Sequence, residues 1–480
     1  MFITTETLIL SPKTSFITIL NLNHAPTQSE HSNESLFIAG LVLVCSLALL
    51  AIWPLPGTIA LRHILLGLGC ISSLIVIAQH QKLLFRWSSW PFWIFLGFFF
   101  WLLLHLIAFS NDVDAQLYEL KHVWMRCLLA TPIGLSLGII LTNPSRTNMG
   151  KRDWVILLML TGLSGTCLIG FGRYIYVALH THQLLNYDVL FAFYKAKPPF
   201  VIGAALALPL SFILIIRGIN LQGSRWWIFP SLLVIFFTLF AAYFSNTKNG
   251  IAIFALTLTL FLISLIFKIH WELRRVALAI CIIAIISTLS YVGIKNHIER
   301  NSAWSSMIAN IKIGVDIEHQ NYWKNRYTHP QPLNQYGFPV DVSTYERVAW
   351  FTAGSRLLAE NPMGYGLLHH SFGSLALAKW PDFYKPVGNL KGATHSGWLD
   401  FALGVGVPGL LLVLIPLFVS WYRSLFQEGL WFSYAAWTIP IMSFAYLTTE
   451  VAGEHFTELL FFMTAFFCGV TLQYQKKVYK

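Results

Sequence analysis

Charge is what this sequence is short of. Only 11% of its 480 residues are Asp, Glu, Lys or Arg, against about 25% in a soluble globular chain. That deficit excludes a protein whose whole surface faces water. The net charge is +11, yet no run of clustered Lys and Arg suggests a nucleic-acid groove. The chain lacks a CxxC pair and any disulfide framework. Its six cysteines, Cys45, Cys70, Cys127, Cys167, Cys281 and Cys468, all fall inside apolar runs, so cysteine usage does not fix the redox compartment. A basic start followed by a long apolar core is missing as well, which speaks against a signal peptide. Residues 1–34 are polar and read as a cytoplasmic tail.

What the chain has is hydrophobic length. Hydrophobic residues make up 56%, and the mean hydropathy is +0.62. Apolar runs of about 20 residues recur, the length of a membrane-crossing helix. A membrane barrel would show short alternating segments instead. The expected fold is an all-α polytopic membrane protein with about twelve transmembrane helices and one large, partly helical periplasmic loop. The spans are expected near 36–53, 58–78, 90–109, 122–142, 154–176, 199–217, 226–244, 250–268, 274–293, 398–420, 430–448 and 456–473. The chain then divides into a tail (1–34), nine helices (35–293), the large loop (294–397), and three helices with the C-terminus (398–480).

The connections alternate in charge. One set holds Lys82 and Arg86, Arg146 with Lys151 and Arg152, Arg217 and Arg225, Lys268 with Arg274 and Arg275, Arg423, and Lys476, Lys477 and Lys480. The other set holds the acidic SNDVDAQLYELK loop, the short SNTKN turn, the large loop and TTEVAGEHFTE. Cytoplasmic connections carry the excess of Lys and Arg, so both termini are expected inside and the large loop outside.

A loop of that length without structure is unusual. Trp304, Ile308 and Ile311 are spaced as on one helix face. A second helix is expected from Tyr345 to Glu360, ended by Asn361-Pro362 because the residue before proline avoids helical geometry. Gly364 and Gly366 allow a tight turn after it. Tyr322, Trp323, Tyr327, Tyr336, Trp380 and Tyr384 stud the loop; such aromatics either anchor at a membrane surface or stack on sugar rings.

Several cations lie within the spans or at their outer ends: Arg62, Arg126, Arg173, Lys195, Lys197, Lys248 and, in the loop, Arg347. An arginine inside a span costs at least about 2.5–3.5 kcal/mol on insertion scales. Each either snorkels and pairs within the protein or lines a cationic pocket for a lipid-linked phosphate, which guanidinium forks and ammonium groups suit. Lys248 stands out because a tight turn between two spans gives it little freedom. His395, in Thr-His-Ser-Gly-Trp-Leu-Asp, either marks a helix start or acts as a base or acid near neutral pH. Asp400 is five residues on, off the face a helical partner of His395 would occupy. His369 and His370 match no helical zinc motif. Asp112-Val-Asp114 resembles a metal-holding DxD, but two acids in a short outward loop also read as a solvated turn.

Together these residues resemble the O-antigen ligase and polymerase family of bacterial envelope glycosyltransferases. The resemblance rests on many spans, one large loop, Arg347-Val-Ala-Trp350, the turn Asn361-Pro362-Met363-Gly364-Tyr365-Gly366, and His395-Ser396-Gly397-Trp398-Leu399-Asp400, followed by Gly404, Gly406 and Gly409. It covers roughly the C-terminal half, from Lys248 on; the N-terminal half matches in span pattern only. One departure is Ser245-Asn246-Thr247-Lys248, where the family usually has an arginine after the serine; lysine keeps the charge but loses the bidentate fork.

The resemblance implies an O-antigen ligase. It would transfer a glycan from undecaprenyl diphosphate to the lipid A-core oligosaccharide at the periplasmic face of the inner membrane. The reaction would be inverting and metal-independent, with no cofactor. Arg347 and Lys248, with Arg126 and Arg62, would bind the donor diphosphate, and His395 would activate or position the acceptor hydroxyl. An O-antigen polymerase or a protein O-oligosaccharyltransferase of the same family shares all these residues. A lipid or polysaccharide transporter is a more distant alternative, opposed by the long outer loop and the lack of a visible inverted repeat.

Overall fold

A computed structural model describes residues 28–142, 152–182, 197–220, 224–268, 273–300, 307–369, 371–383, 392–449 and 454–473. Among these residues there is no strand, only an isolated antiparallel bridge between Leu333 and Pro339. The helices in chain order are α1 (Gln28–Ile52), α2 (Ile59–Gln79), α3 (Gln81–Leu84), α4 (Trp90–Ala108), α5 (Val113–Glu119), α6 (Met125–Thr142), α7 (Asp153–Thr181), α8 (Pro198–Ile219) and α9 (Ile228–Phe244). They continue with α10 (Lys248–Lys268), α11 (Leu273–Arg300), α12 (Met307–Val315), α13 (Val342–Glu360), α14 (Ser371–Lys379), α15 (Gly397–Leu425), α16 (Leu430–Thr448) and α17 (Glu454–Thr471). A π-helical turn, Leu120–Trp124, joins α5 to α6.

Eight segments are long and apolar enough to cross a membrane: Ile59–Gln79, Trp87–Ala108, Val113–Thr142, Asp153–Thr181, Pro198–Ile219, Arg225–Phe244, Lys248–Leu265 and Gly397–Leu425. Helices also stand at the other four expected places. Three of them have shorter apolar stretches, Leu36–Ile52, Val276–Thr288 and His455–Thr471. The fourth, α16, spends eight of its 19 residues on Trp, Tyr, Ser and Thr. Length and composition therefore support eight spans among the described residues, where the sequence pattern suggested about twelve.

The bundle is built around α8, whose apolar length is entirely buried. Its composition explains this, since Pro198–Ile219 is apolar on every face and has no side to give to water. α7, α9, α10 and α16 pack around it. α6 and α17 make the most intimate crossing. A Cβ on Gly134 would fall 2.0 Å from the Phe462 carbonyl oxygen, so small residues let these two backbones touch.

The segment between α11 and α15 has its own small core, formed by Trp323, Tyr345, Ala349, Ala353, Phe372 and Leu403 among others. α13 begins earlier than the apolar pattern suggests because Asp341 caps it, accepting from the Thr344 amide at 2.9 Å. It ends at Glu360, as Asn361-Pro362 requires. α12 differs from expectation. Ile308 and Ile311 are exposed, and Trp304 lies outside the described residues. The helix instead turns Ala309, Asn310 and Gly314 inward; at Gly314 an added Cβ would stand 2.9 Å from the Tyr345 carbonyl oxygen. Small residues permit that close approach to α13, and the larger isoleucines are left outside.

Candidate active site

His395 lies in the short connection that enters α15, and its backbone is left-handed, φ 58°. That conformation costs about 1–3 kcal/mol for a non-glycine residue and persists only where its surroundings enforce it. Here they do. The Asp400 carboxylate accepts from both the amide and the hydroxyl of Thr394, each at 2.7 Å. The Ser396 amide donates to the Thr394 hydroxyl oxygen at 3.2 Å, and the Gly397 amide to the Thr449 carbonyl at 2.9 Å. Asp400 thus shapes the backbone on either side of His395. The imidazole stacks on the indole of Trp350, with ring centroids 5.3 Å apart and planes 19° from parallel.

Trp350 belongs to α13. Arg347, exposed, is three residues before it and Glu346 four, so all three share one face of the helix. Burial pushes the Glu346 carboxyl up, while the charges of Arg326 and His395 draw it back down. The pairing expected between Arg347 and His395 is thus a juxtaposition across Trp350, and Glu346 joins it.

Lys248 reaches the same helix from below its first turn. Its ammonium lies 3.6 Å from the Asp341 carboxylate that caps α13. Asp341 precedes Arg347 by six positions, about 9 Å along the helix axis. The turn before Lys248 is held in place by Asn246, which is left-handed at φ 49°, and its carbonyl accepts from Lys197 at 3.3 Å. Asn249 donates to the Thr448 carbonyl and, at 3.5 Å, to the Thr449 hydroxyl. The Lys248 turn and the His395 connection are therefore both fastened to the end of α16. Lys195 lies outside the described residues.

Arg62 and Arg126 gather elsewhere, at the start of α17. Arg126 Nε is 3.0 Å from Glu458 Oε1, and Glu458 Oε2 accepts from Trp53 Nε1 at 2.7 Å. Arg62 donates to the Trp53 carbonyl at 3.3 Å and to His455. This cluster is almost wholly buried. Tyr446 connects it to the first group, since its hydroxyl donates to the Phe456 carbonyl at 2.6 Å and its ring packs on Trp398.

Beneath the site, α15 is broken at Gly406, φ 76° and ψ 169°. Unpaired backbone groups are costly in a bilayer, and the turn after α13 satisfies them. Tyr365 and Gly366 amides donate to the Leu403 and Gly404 carbonyls at 2.7 and 2.8 Å, and the Val407 amide donates to the Pro362 carbonyl at 2.8 Å. α4 and α5 support the turn. His105 bonds the Met363 carbonyl at 3.0 Å, and the Glu119 carboxylate accepts from the Leu368 and His369 amides at 2.8 and 3.2 Å. The two glycine sets visible in the sequence thus form one joint.

Other candidates find structural roles. Asp112 caps α5, accepting from the Ala115 amide at 3.0 Å. Among the described residues no three His, Cys, Asp or Glu side chains gather as a metal set would. Trp323 and Trp380 meet edge-to-face in the small core, while Tyr327 and Tyr336 are exposed. Tyr384 and His370 lie outside the described residues.

The site residues missed from sequence are Asp341, Glu346, Thr394 and Glu458. Asp341, three residues before Thr344, had a local capping signal; the others act through tertiary contacts. No curated protein matches the chain. Residues 233–414, from within α9 to within α15, match the family model described as O-antigen ligase. Lys248, Arg347 and His395 all fall inside that match, so over this segment the chain is similar to O-antigen ligases.

Proposed function

We propose that this chain is an O-antigen ligase that moves a glycan from undecaprenyl diphosphate to a sugar hydroxyl of the lipid A-core oligosaccharide. The observation that carries the proposal is the assembly of one imidazole and two cations around α13, inside the segment that matches the O-antigen ligase family. The family match supports glycosyl transfer by a membrane protein; the donor, acceptor and residue roles are our reading.

The acceptor hydroxyl attacks the anomeric carbon from the side opposite the diphosphate. The new C–O bond forms as the bond to the diphosphate oxygen breaks, and the configuration inverts. His395 takes the hydroxyl proton. An imidazole at the mouth of α15, stacked on Trp350, is placed to accept that proton. The imidazolium that results is stabilised by the Glu346 carboxylate. The undecaprenyl diphosphate leaves as an anion, and Arg347 and Lys248 stabilise the charge developing on it, the effect that usually contributes most to such a rate. Arg347 offers a planar fork to two oxygens and Lys248 a point charge. Arg62 and Arg126 are engaged by His455, Trp53 and Glu458, and we assign them to the positive field behind the diphosphate and to the integrity of that end of the bundle.

The test is complementation of a bacterial strain that lacks its ligase, with the lipopolysaccharide resolved on a gel. Long-chain lipopolysaccharide restored by the wild type, and lost in His395→Ala and Arg347→Ala proteins that insert normally, is the expected result. Elongation of the undecaprenyl-linked glycan without transfer to the core would identify a polymerase. Redistribution of that glycan without a new glycosidic bond would identify a transporter.

A further inference from the structure

A second site lies at the other end of the bundle. α15 starts two residues after His395 and, across its break at Gly406, runs for 29 residues to Leu425. The whole segment Gly397–Leu425 is long and apolar enough to cross a membrane. Just past the end of α15, Glu428 borders a cavity of about 350 Å³ between the ends of α6 and α8, the start of α7 and the α15–α16 turn. The cavity therefore lies at the opposite end of a membrane-crossing segment from His395 and plays no direct part in chemistry there.

Its lining is mixed. Leu141, Ile156 and Leu214 contribute apolar surface, and Arg217, Asp153 and Glu428 contribute charge. Asp153 is oriented by Trp227, whose indole N–H donates to it at 3.1 Å. Arg217 is the informative group. It is half-buried at the end of an otherwise enclosed apolar helix, and among the described residues it has neither a hydrogen bond nor an ion pair. A guanidinium kept from bulk water is costly unless an anion meets it. Among the described lining residues the guanidinium of Arg217 stands with the carboxylates of Asp153 and Glu428, a set that fits a ligand carrying one phosphate and one ammonium group, and the apolar lining fits the first carbons of an acyl chain.

We infer that this cavity binds the headgroup of an aminophospholipid from the leaflet opposite His395, with the phosphate on Arg217 and the ammonium facing Asp153 and Glu428. The inference does not depend on the glycosyl-transfer reading. A guanidinium fork on a phosphodiester gives charge-assisted bonds, and the primary ammonium can donate to the carboxylates where a trimethylated one cannot.

The test uses full-length protein stripped of lipid in detergent and returned to nanodiscs. One set holds phosphatidylethanolamine with phosphatidylglycerol, a second phosphatidylcholine with phosphatidylglycerol, and a third phosphatidylglycerol alone. Bound lipid is counted by native mass spectrometry after extraction. Selective retention of phosphatidylethanolamine is expected. Arg217→Gln should reduce it about ten-fold, the effect of losing one charged hydrogen-bonding group. Arg217→Lys should retain part of it, and covers the case in which the glutamine variant fails to fold. Asp153→Asn with Glu428→Gln should erase the preference for phosphatidylethanolamine over phosphatidylcholine. Equal retention of the two lipids by the wild type, or retention unchanged in both Arg217 variants, overturns the inference. So does soluble phosphoethanolamine that displaces the lipid at equal concentration, since the site would then serve a free metabolite.

Discussion

The ammonium of Lys248 lies 3.6 Å from the carboxylate of Asp341, the residue that caps the helix carrying Arg347. One side chain thus ties a turn between two spans to the first turn of α13. Lys248→Gln should lower transfer by about 10²-fold if the ammonium stabilises the leaving diphosphate, and Lys248→Arg should keep most of the rate. Asp341→Ala should lower thermal stability by about 1 kcal/mol, the usual loss of a cap, with Asp341→Asn close to wild type. Equal activity of Lys248→Gln and wild type in membranes holding equal amounts of protein would remove Lys248 from the site.

Glu346 should affect rate and stability in opposite directions. Its carboxyl is raised in the folded chain by burial. A raised carboxyl contributes stability that is fully present below its ordinary pKa and lost as pH rises through the folded value. Glu346→Gln should therefore unfold at a higher temperature than wild type near neutral pH and show no advantage in acid. Its transfer rate should fall, because the imidazolium loses its counter-charge. Melting curves at several pH values, paired with a rate assay, check both signs.

His395→Ala should cost about 10²–10⁴-fold in transfer, the range for a positioned base. Trp350→Ala should cost less, and Trp350→Phe less again, because the phenyl ring preserves a surface for the imidazole. A Trp350→Ala loss as deep as that of His395→Ala would mean that the indole itself meets substrate.

The Arg126–Glu458 pair offers a double-mutant test. Glu458→Leu leaves a buried cation without its carboxylate and should destabilise by about 3–5 kcal/mol, whereas adding Arg126→Met should recover much of that. The double variant then reports on role. If it folds and transfers glycan, Arg126 is structural; if it folds and fails, Arg126 serves the donor.

Gly406→Ala should abolish the folded state in detergent. Its φ of 76° is disfavoured for alanine, and the new Cβ would stand 2.2 Å from the Met363 carbonyl oxygen. Gly364→Ala meets the same obstacle from the other side, 2.3 Å from the Gly406 amide nitrogen. A monodisperse gel-filtration peak from either variant would contradict this.

Much of this arrangement was legible from local pattern. The helical class, the end of α13 at Asn361-Pro362 and the candidates Lys248, Arg347 and His395 all follow from hydropathy, a proline rule and charge placement. What was not legible depends on contacts across the fold. Ile308 and Ile311 look like a buried face, yet Gly314 decides the packing because close approach outweighs apolar size at that crossing. Arg126 reads as a lone cation until α17 brings Glu458 to it. The glycines at 364 and 366 and those at 404 and 406 have no local signal that they will meet.

Their meeting limits how the protein can move. Backbone hydrogen bonds key the turn after α13 into the broken middle of α15, and α4 and α5 brace the turn from the other side. A domain anchored through its main chain cannot swing on a hinge at that point. Any give must then come from the opposite margin, the segment around Tyr327 and Tyr336, where side chains are exposed. On the glycosyl-transfer reading proposed above, α13 stays still while that margin yields, and glycans of different length would enter there without disturbing the spacing of Lys248, Arg347 and His395.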